Sequence, residues 1–173
     1  MSPEESPTDD DFPVPPRSVV DGEGRDIRFR EGDEGDLEAV VDMYTQFDPS
    51  DRAQGIPPSK EPAIRDWLDA ITTSGNLTVI AEHEGDVVGH GMLVSDEDGG
   101  YELALFVLQD YQGAGIGTAL LRTLLGLGSD RGVERVWLSV ERWNEPAITV
   151  YEKVGFERTG QASFEIEMDM TLY

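Results

Sequence analysis

Apolar residues change their spacing several times along this chain, and each change marks an element. Leu37, Val40, Val41 and Tyr44 share one face of a 3.6-residue period. Asp33, just ahead of them, is a side chain suited to cap a first turn. Ile64, Trp67, Leu68 and Ile71 repeat the pattern and predict a second helix over about Glu61–Thr72, with Trp67 in the core. Shorter apolar runs at Leu77–His83, Asp86–Val94 and Tyr101–Leu108 read as strands. The first two are joined at Glu84-Gly85, and the third is reached through the polar turn Asp96–Gly100. Ile116, Leu120 and Leu124, at i, i+4 and i+8, place a helix that runs to about Asp130. Val133–Val140 is another strand. Pro146 opens a short helix through Lys153, Gly155 ends it, and Phe156–Arg158 and Phe164–Leu172 are two final strands. A short strand Asp26–Arg30 precedes the first helix. The order βααβββαβαββ predicts one α/β (α+β) domain over residues 25–173, with a mixed sheet of about six or seven strands flanked by about four helices.

Two stretches fall outside this pattern. Residues 1–24 hold five prolines and seven acids with few large apolar groups, the composition of a disordered tail or a loosely docked arm, in which Phe12 and Val14 are the only candidate anchors. Asp48–Ser59 contains Pro49, Pro57 and Pro58 and is long for a connection inside a compact domain, which marks it as a functional loop.

Charge changes the picture more than size does. Among 173 residues, 36 are acidic and 13 basic, a net charge of −23. The acids are scattered over the whole length. That favours general adaptation to a salt-rich cytosol, a halophilic character, over one acidic binding surface. At 1 M salt the screening length is only ~3 Å, so the charge would hardly steer a distant cation. No basic stripe points to nucleic acid. With no cysteine, disulfides, thiolate metal sites and covalent cysteine intermediates are excluded. No apolar run approaches membrane-spanning length and no signal peptide is visible, which points to a cytoplasmic protein with no membrane partner.

The candidate chemistry lies in Val107-Leu-Gln-Asp-Tyr-Gln112-Gly113-Ala114-Gly115-Ile116-Gly117-Thr118. It reads as the end of a buried strand, a glycine-rich turn and a helix start. Such a turn leaves backbone N–H groups uncovered at the positive end of a helix dipole, which suits phosphate. Glycines that only pack a helix on a strand are the alternative. A P-loop would need a lysine before Thr118, and a dinucleotide fingerprint would need glycine at Thr118 or Leu120. The spacing Gln112-x-x-Gly115-x-Gly117 instead resembles the acyl-CoA signature Q/R-x-x-G-x-G/A of the GNAT family of N-acetyltransferases. A second segment, from Trp137 through Asn144 and Tyr151 to Gly155-Phe156, is similar to that family's later motif, and the element order agrees as well.

The resemblance implies a fold in which Tyr101–Leu108 and Val133–Val140 splay apart and acetyl-CoA lies in the gap. It places Leu105, Phe106 and Val107 at the acyl and pantetheine end, Gly113 to Thr118 around the pyrophosphate, Asn144 on the pantetheine, and Tyr151 near the thioester sulfur. The implied activity is acetyl transfer to an amine acceptor by direct attack in a ternary complex, with no metal, and a homodimer is compatible with it. The chemistry asks for three groups besides. An ammonium of pKa ~10.4 must lose a proton before it attacks, a tetrahedral oxyanion needs a donor, and a leaving thiolate of pKa ~8.5 needs an acid. A freed N–H near Val107 and the Tyr151 phenol answer the last two, although Tyr151 could simply pack on Gly155-Phe156. The base is less defined. Some relatives carry a glutamate where Ser139 stands here, and a serine cannot take that role unaided. Glu102, near the start of the strand before the turn, is the candidate, and a solvated strand end is its alternative. Glu141 is a lesser option. His90 reads as a satisfied core histidine, His83 as an exposed one, and Trp143 either walls the acceptor site or covers the core edge. Two rival readings remain: a CoA-binding sensor without turnover, which the serine at 139 favours, and a nucleotide-binding α/β domain.

Overall fold

The computed structural model describes residues 12–47, 57–71, 75–162 and 164–172. Asp33 opens the helical layer: its carboxylate accepts from the Gly35 N–H at 2.8 Å, and Asp36 accepts in return from the Asp33 N–H. This reciprocal cap starts one 3-10 turn, Glu34–Asp36, that continues into α1, Leu37–Thr45. The other helices are α2, Glu61–Ile71; α3, Ile116–Asp130; and α4, Glu145–Val154. Asn144 caps α4 and Pro146 sits in its first turn, where no N–H is missed. None of these helices is long and apolar enough to cross a membrane.

Eight strands make one sheet: β1 (Arg17–Val20), β2 (Asp26–Glu31), β3 (Leu77–His83), β4 (Asp86–Ser95), β5 (Tyr101–Val107), β6 (Arg135–Glu141), β7 (Glu157–Gln161) and β8 (Glu165–Thr171). Their spatial order is β1-β2-β3-β4-β5-β6-β8-β7, and every neighbouring pair is antiparallel except β5 and β6. Strand alternation divides the apolar side chains between two layers. Val79, Leu103, Val136, Leu138 and Met168 meet α3 and α4 on one face. Ile80 and Met92 meet α1 and α2 on the other, with Ala104 and Phe106 packed beside them.

The domain is larger at its front than the sequence pattern predicts. Residues 12–24, expected to belong to a disordered tail or a loosely docked arm, add a strand to the sheet edge. β1 pairs with β2 in the register Arg17↔Phe29 to Val20↔Asp26. Phe12 is buried, with the Arg122 guanidinium 5.1 Å from its ring centroid. The Pro13 carbonyl lies where a Cβ on Gly126 would stand, so this glycine is what lets the arm reach α3. Arg17 donates to the Thr123 hydroxyl at 3.0 Å. A segment too polar to build a core can still dock, because an existing edge supplies the backbone partners and one aromatic supplies the anchor. Residues 1–11 and residues 48–56 of the expected functional loop lie outside the described residues.

Phe12→Ala should therefore lower the unfolding free energy by about 3 kcal/mol, read from urea denaturation. A change within about 0.5 kcal/mol would show that the arm is not packed on α3.

Candidate functional site

β5 and β6 start as partners and then part. Tyr101 pairs with Val136 and Glu102 with Trp137, and no further pair follows, although both strands continue. β5 is meanwhile held along its whole length by β4, from Ser95↔Tyr101 to Gly89↔Val107. The Leu108 N–H donates to Val88 on that side. By alternation, the N–H and C=O groups of Leu105 and Val107 point to the open side. Gln112 supports this orientation: its amide donates at 2.9 Å to the Val107 carbonyl, tying the turn back to the strand.

Below the gap, Gly113 and Gly115 adopt φ of 76° and 88°, a backbone conformation that disfavours side chains, and nothing lies within 4 Å of where their Cβ atoms would be. Gly115 precedes α3, and the first intrahelical bond runs from the Ala119 N–H to the Gly115 carbonyl. The N–H groups of Ile116, Gly117 and Thr118 are thus left at the helix start. Ala114 and Ile116 point their side chains into the core, and Thr118 is exposed.

The turn is braced from outside by residues that the motif does not include. The Gly22 N–H donates to the Ala114 carbonyl at 2.8 Å. The Arg25 guanidinium stacks on the Tyr111 ring, 4.1 Å from its centroid, and is held there by the buried Asp21 carboxylate. His83, expected to be exposed, is half-buried, with Nδ1 2.8 Å from the Tyr111 hydroxyl. Its position at the end of β3 brings it over the turn that follows β5, a neighbourhood that only the sheet order creates.

The remaining candidates divide by face. The Leu105 and Val107 side chains pack with the α3 core, whereas the Phe106 ring turns to the other face and meets Tyr44, Phe47 and Trp67. Of these three, Phe106 therefore stays out of the gap, since its backbone groups face His90 on β4. Asn144 caps α4, its Oδ1 accepting from the Ala147 N–H at 3.3 Å. The Tyr151 ring lies edge-on to Phe156 at 5.8 Å, and its hydroxyl has no hydrogen-bond partner among the described residues. Burial raises its pKa, so the phenol keeps its proton near neutral pH. Trp143 is 64% exposed and does not cover the core.

Glu102 sits at the point where the strands part, on the Phe106 side of the sheet, in register with Val94 and Trp137. Partial desolvation raises its pKa, and the charges of Asp96, Glu165 and Glu167 add to the effect. Ser139 stands directly opposite Glu167 across the β6–β8 pair. The face that lacks a carboxylate at 139 thus carries one on the neighbouring strand. Its signal in the sequence was the alternation Glu165, Glu167, Asp169, legible only once β8 is known to adjoin β6. His90 is buried, with Nδ1 2.7 Å from the Tyr44 hydroxyl, and burial lowers its pKa to about 4. It is a core histidine, as its setting in β4 predicted, but only Nδ1 finds a hydrogen-bond partner among the described residues.

The model of the acetyltransferase (GNAT) family matches residues 37–156. The chain belongs to this family. An uncharacterized N-acetyltransferase of Mycobacterium tuberculosis is 34% identical over 101 residues, 58% of this chain and 65% of its own length, so the chain spans just under two thirds of that relative. The solved GNAT domain of S. lividans PAT superposes with a TM-score of 0.78 at 18% identity, covering 90% of this chain and 96% of that one. A phosphinothricin acetyltransferase of the same superfamily from Sinorhizobium meliloti, in complex with acetyl-CoA, gives a TM-score of 0.68 at 21% identity over 84% of this chain and 88% of that one. These two likenesses are of fold.

The His90 environment gives a pH dependence with a definite sign. The unfolded imidazole titrates near ~6.5 and the folded one near 4. Between these values the unfolded chain binds the extra proton, so stability is full above about pH 6.5 and falls as pH drops toward 4, by up to about 3 kcal/mol. Denaturation of wild type and His90→Gln across that range should show a shallower fall in the variant. Parallel curves would mean that His90 is not held neutral by burial.

Proposed function

We propose that this chain transfers an acetyl group from acetyl-CoA to an amine by direct attack in a ternary complex. The parting of β5 and β6 after two residue pairs, directly above a glycine-rich helix start, is the observation that carries the reading. The Val107 N–H and the Leu105 carbonyl, both unpaired on the open side, offer the bonds that an extended pantetheine amide chain needs, in place of a neighbouring strand. The N–H groups from Gly113 to Thr118 suit the pyrophosphate. Asn144 keeps its amide N–H donors for the pantetheine while its oxygen caps α4.

Acetyl-CoA supplies the thioester, and this chain's residues supply proton control. Glu102, its pKa raised by partial burial and by the neighbouring acids, removes a proton from the incoming ammonium through a water, and Glu167 and Glu165 on the same face favour that cationic form before transfer. The Leu105 N–H, further from the turn and nearer Glu102, donates to the carbonyl oxygen as the amine nitrogen bonds to the thioester carbon. Tyr151, protonated and without a hydrogen-bond partner among the described residues, donates to the sulfur as the C–S bond breaks. The acceptor is an amine whose identity rests with the Asp48–Ser59 loop, the Asp96–Gly100 turn and the last strands.

Two variants separate binding from chemistry. Gly115→Asp places a carboxylate beside the helix start at a positive φ that strains any side chain, so Gly115→Ala is the control for strain: CoA affinity should fall at least ~10-fold further in the aspartate variant than in the alanine one. Tyr151→Phe should leave CoA affinity alone and lower kcat ~100-fold or more. Full CoA affinity in the first would remove the turn from the site. Normal turnover in the second would leave Tyr151 a packing role. Absence of acetyl-CoA turnover with a broad amine panel, despite CoA binding, would favour a sensor.

We also read the net charge of −23 as adaptation to a salt-rich cytosol. Self-repulsion should then lower the melting temperature in dilute buffer, and raising KCl from ~0.1 M to ~2 M should raise it substantially. A flat response would instead mark the acidity as a feature for binding a cationic partner.

A further inference from the structure

On the α1–α2 side of the sheet lies a cavity of about 590 Å³ that the acetyl-transfer site does not use. Leu37, Val40, Leu68 and Ile80 give it an apolar floor. His90 and Thr78 add polar groups from the strands, and the mouth carries Glu31, Asp33, Glu34 and Asp36. Its size is that of a small-molecule site. Neither Trp67 nor Phe106 borders it, and these two rings pack edge to face with Tyr44, closing the layer between the cavity and β5.

His90 points to an occupant. The residue is 3% exposed, and Nδ1 meets the Tyr44 hydroxyl. Tyr44 is itself fully buried and has no other polar partner among the described residues, so its proton is best placed toward Nδ1. The neutral ring then carries its own proton on Nε2, which has no partner among the described residues. A buried donor on a cavity wall calls for an acceptor oxygen. At the mouth, Arg30 pairs with Asp36 and Arg131 with Glu31, but Asp33 and Glu34 face no cation among the described residues. Those two carboxylates favour a positive group.

We propose that this cavity is a second ligand site, separate from the β5–β6 gap, for a primary amine with an apolar ring-sized body and an acceptor oxygen at its far end. A phenolic amine is the simplest such molecule: its oxygen meets His90, its ring lies on the apolar floor, and its ammonium faces Asp33 and Glu34. This assignment does not depend on acetyl transfer.

Tyramine is the probe, with phenethylamine lacking the oxygen and 4-ethylphenol lacking the charge. Calorimetric titration of the full chain should show tyramine binding at least about tenfold more tightly than either control. Its affinity should be the same with CoA present. Thr78→Phe, which fills the cavity from a half-buried strand position, should abolish binding. Glu34→Lys, on an exposed turn, should weaken tyramine and leave 4-ethylphenol unchanged, and it keeps the test open if the filled variant fails to fold. No tyramine binding, binding that survives Thr78→Phe in the folded variant, equal binding of the controls, or loss of binding when CoA is added would each overturn the proposal. Acetyl transfer is tested separately through turnover, so either reading can fail alone.

Discussion

The parting of two parallel strands is the constraint on which the rest depends. A sheet interior normally pairs every backbone polar group, and an unpaired one costs free energy comparable to a lost hydrogen bond. β5 and β6 can separate without unravelling because each is secured on its other side. β4 pairs with β5 over all seven of its residues, from Tyr101 to Val107, and β8 pairs with β6 from Arg135 to Glu141. The gap is therefore bounded by two rigid edges. Gln112 takes one of the freed carbonyls, which fixes the lower end of the opening and leaves the N–H groups above it for a ligand.

The helix below the gap is placed by small residues on the strand above it. A Cβ on Gly91 would come within 3.2 Å of Leu124, and one on Gly89 within 3.5 Å of Leu120. These two glycines let α3 lie close against β4, so that Leu120 and Leu124 are fully buried. That closeness points the N-terminus of α3 at the mouth of the gap. The arm of residues 12–25 presses on α3 and its preceding turn from the far side. Core packing, strand order and site geometry are in this sense one arrangement.

What could be read in the sequence followed the range of the forces involved. Helices α1 to α4 and strands β2 to β6 and β8 rest on local periodicity and caps, and their limits fall close to the predicted ones. The glycine turn was legible because its φ values and spacing are local too. β1 was not, since Arg17–Val20 becomes a strand only against the edge of β2. The burial of His83, the link from Arg25 to Tyr111 and the pairing of Ser139 with Glu167 depend on which strands become neighbours. The same applies to the face of Phe106: alternation sets it, but only the position of α1 and α2 decides what that face contacts.

Charge completes the argument. In a chain with 36 acids and 13 bases, the arginines join neighbouring elements. Arg30 links Asp36 and Glu82, Arg65 links Glu38 and Glu61, and Arg135 meets Asp169. Arg25, close to the glycine turn, is already engaged by Asp21 and Tyr111. No described lysine or arginine is built into the turn itself. An anion bound there would rest on oriented backbone N–H groups and the helix dipole, short-range interactions that salt screens weakly at contact. The repulsion between a phosphorylated ligand and the distant surface acids is long-ranged, and salt screens it strongly. A site built from backbone amides thus keeps its attraction in concentrated salt while losing its main opposing force, which a site built on surface lysines would not do.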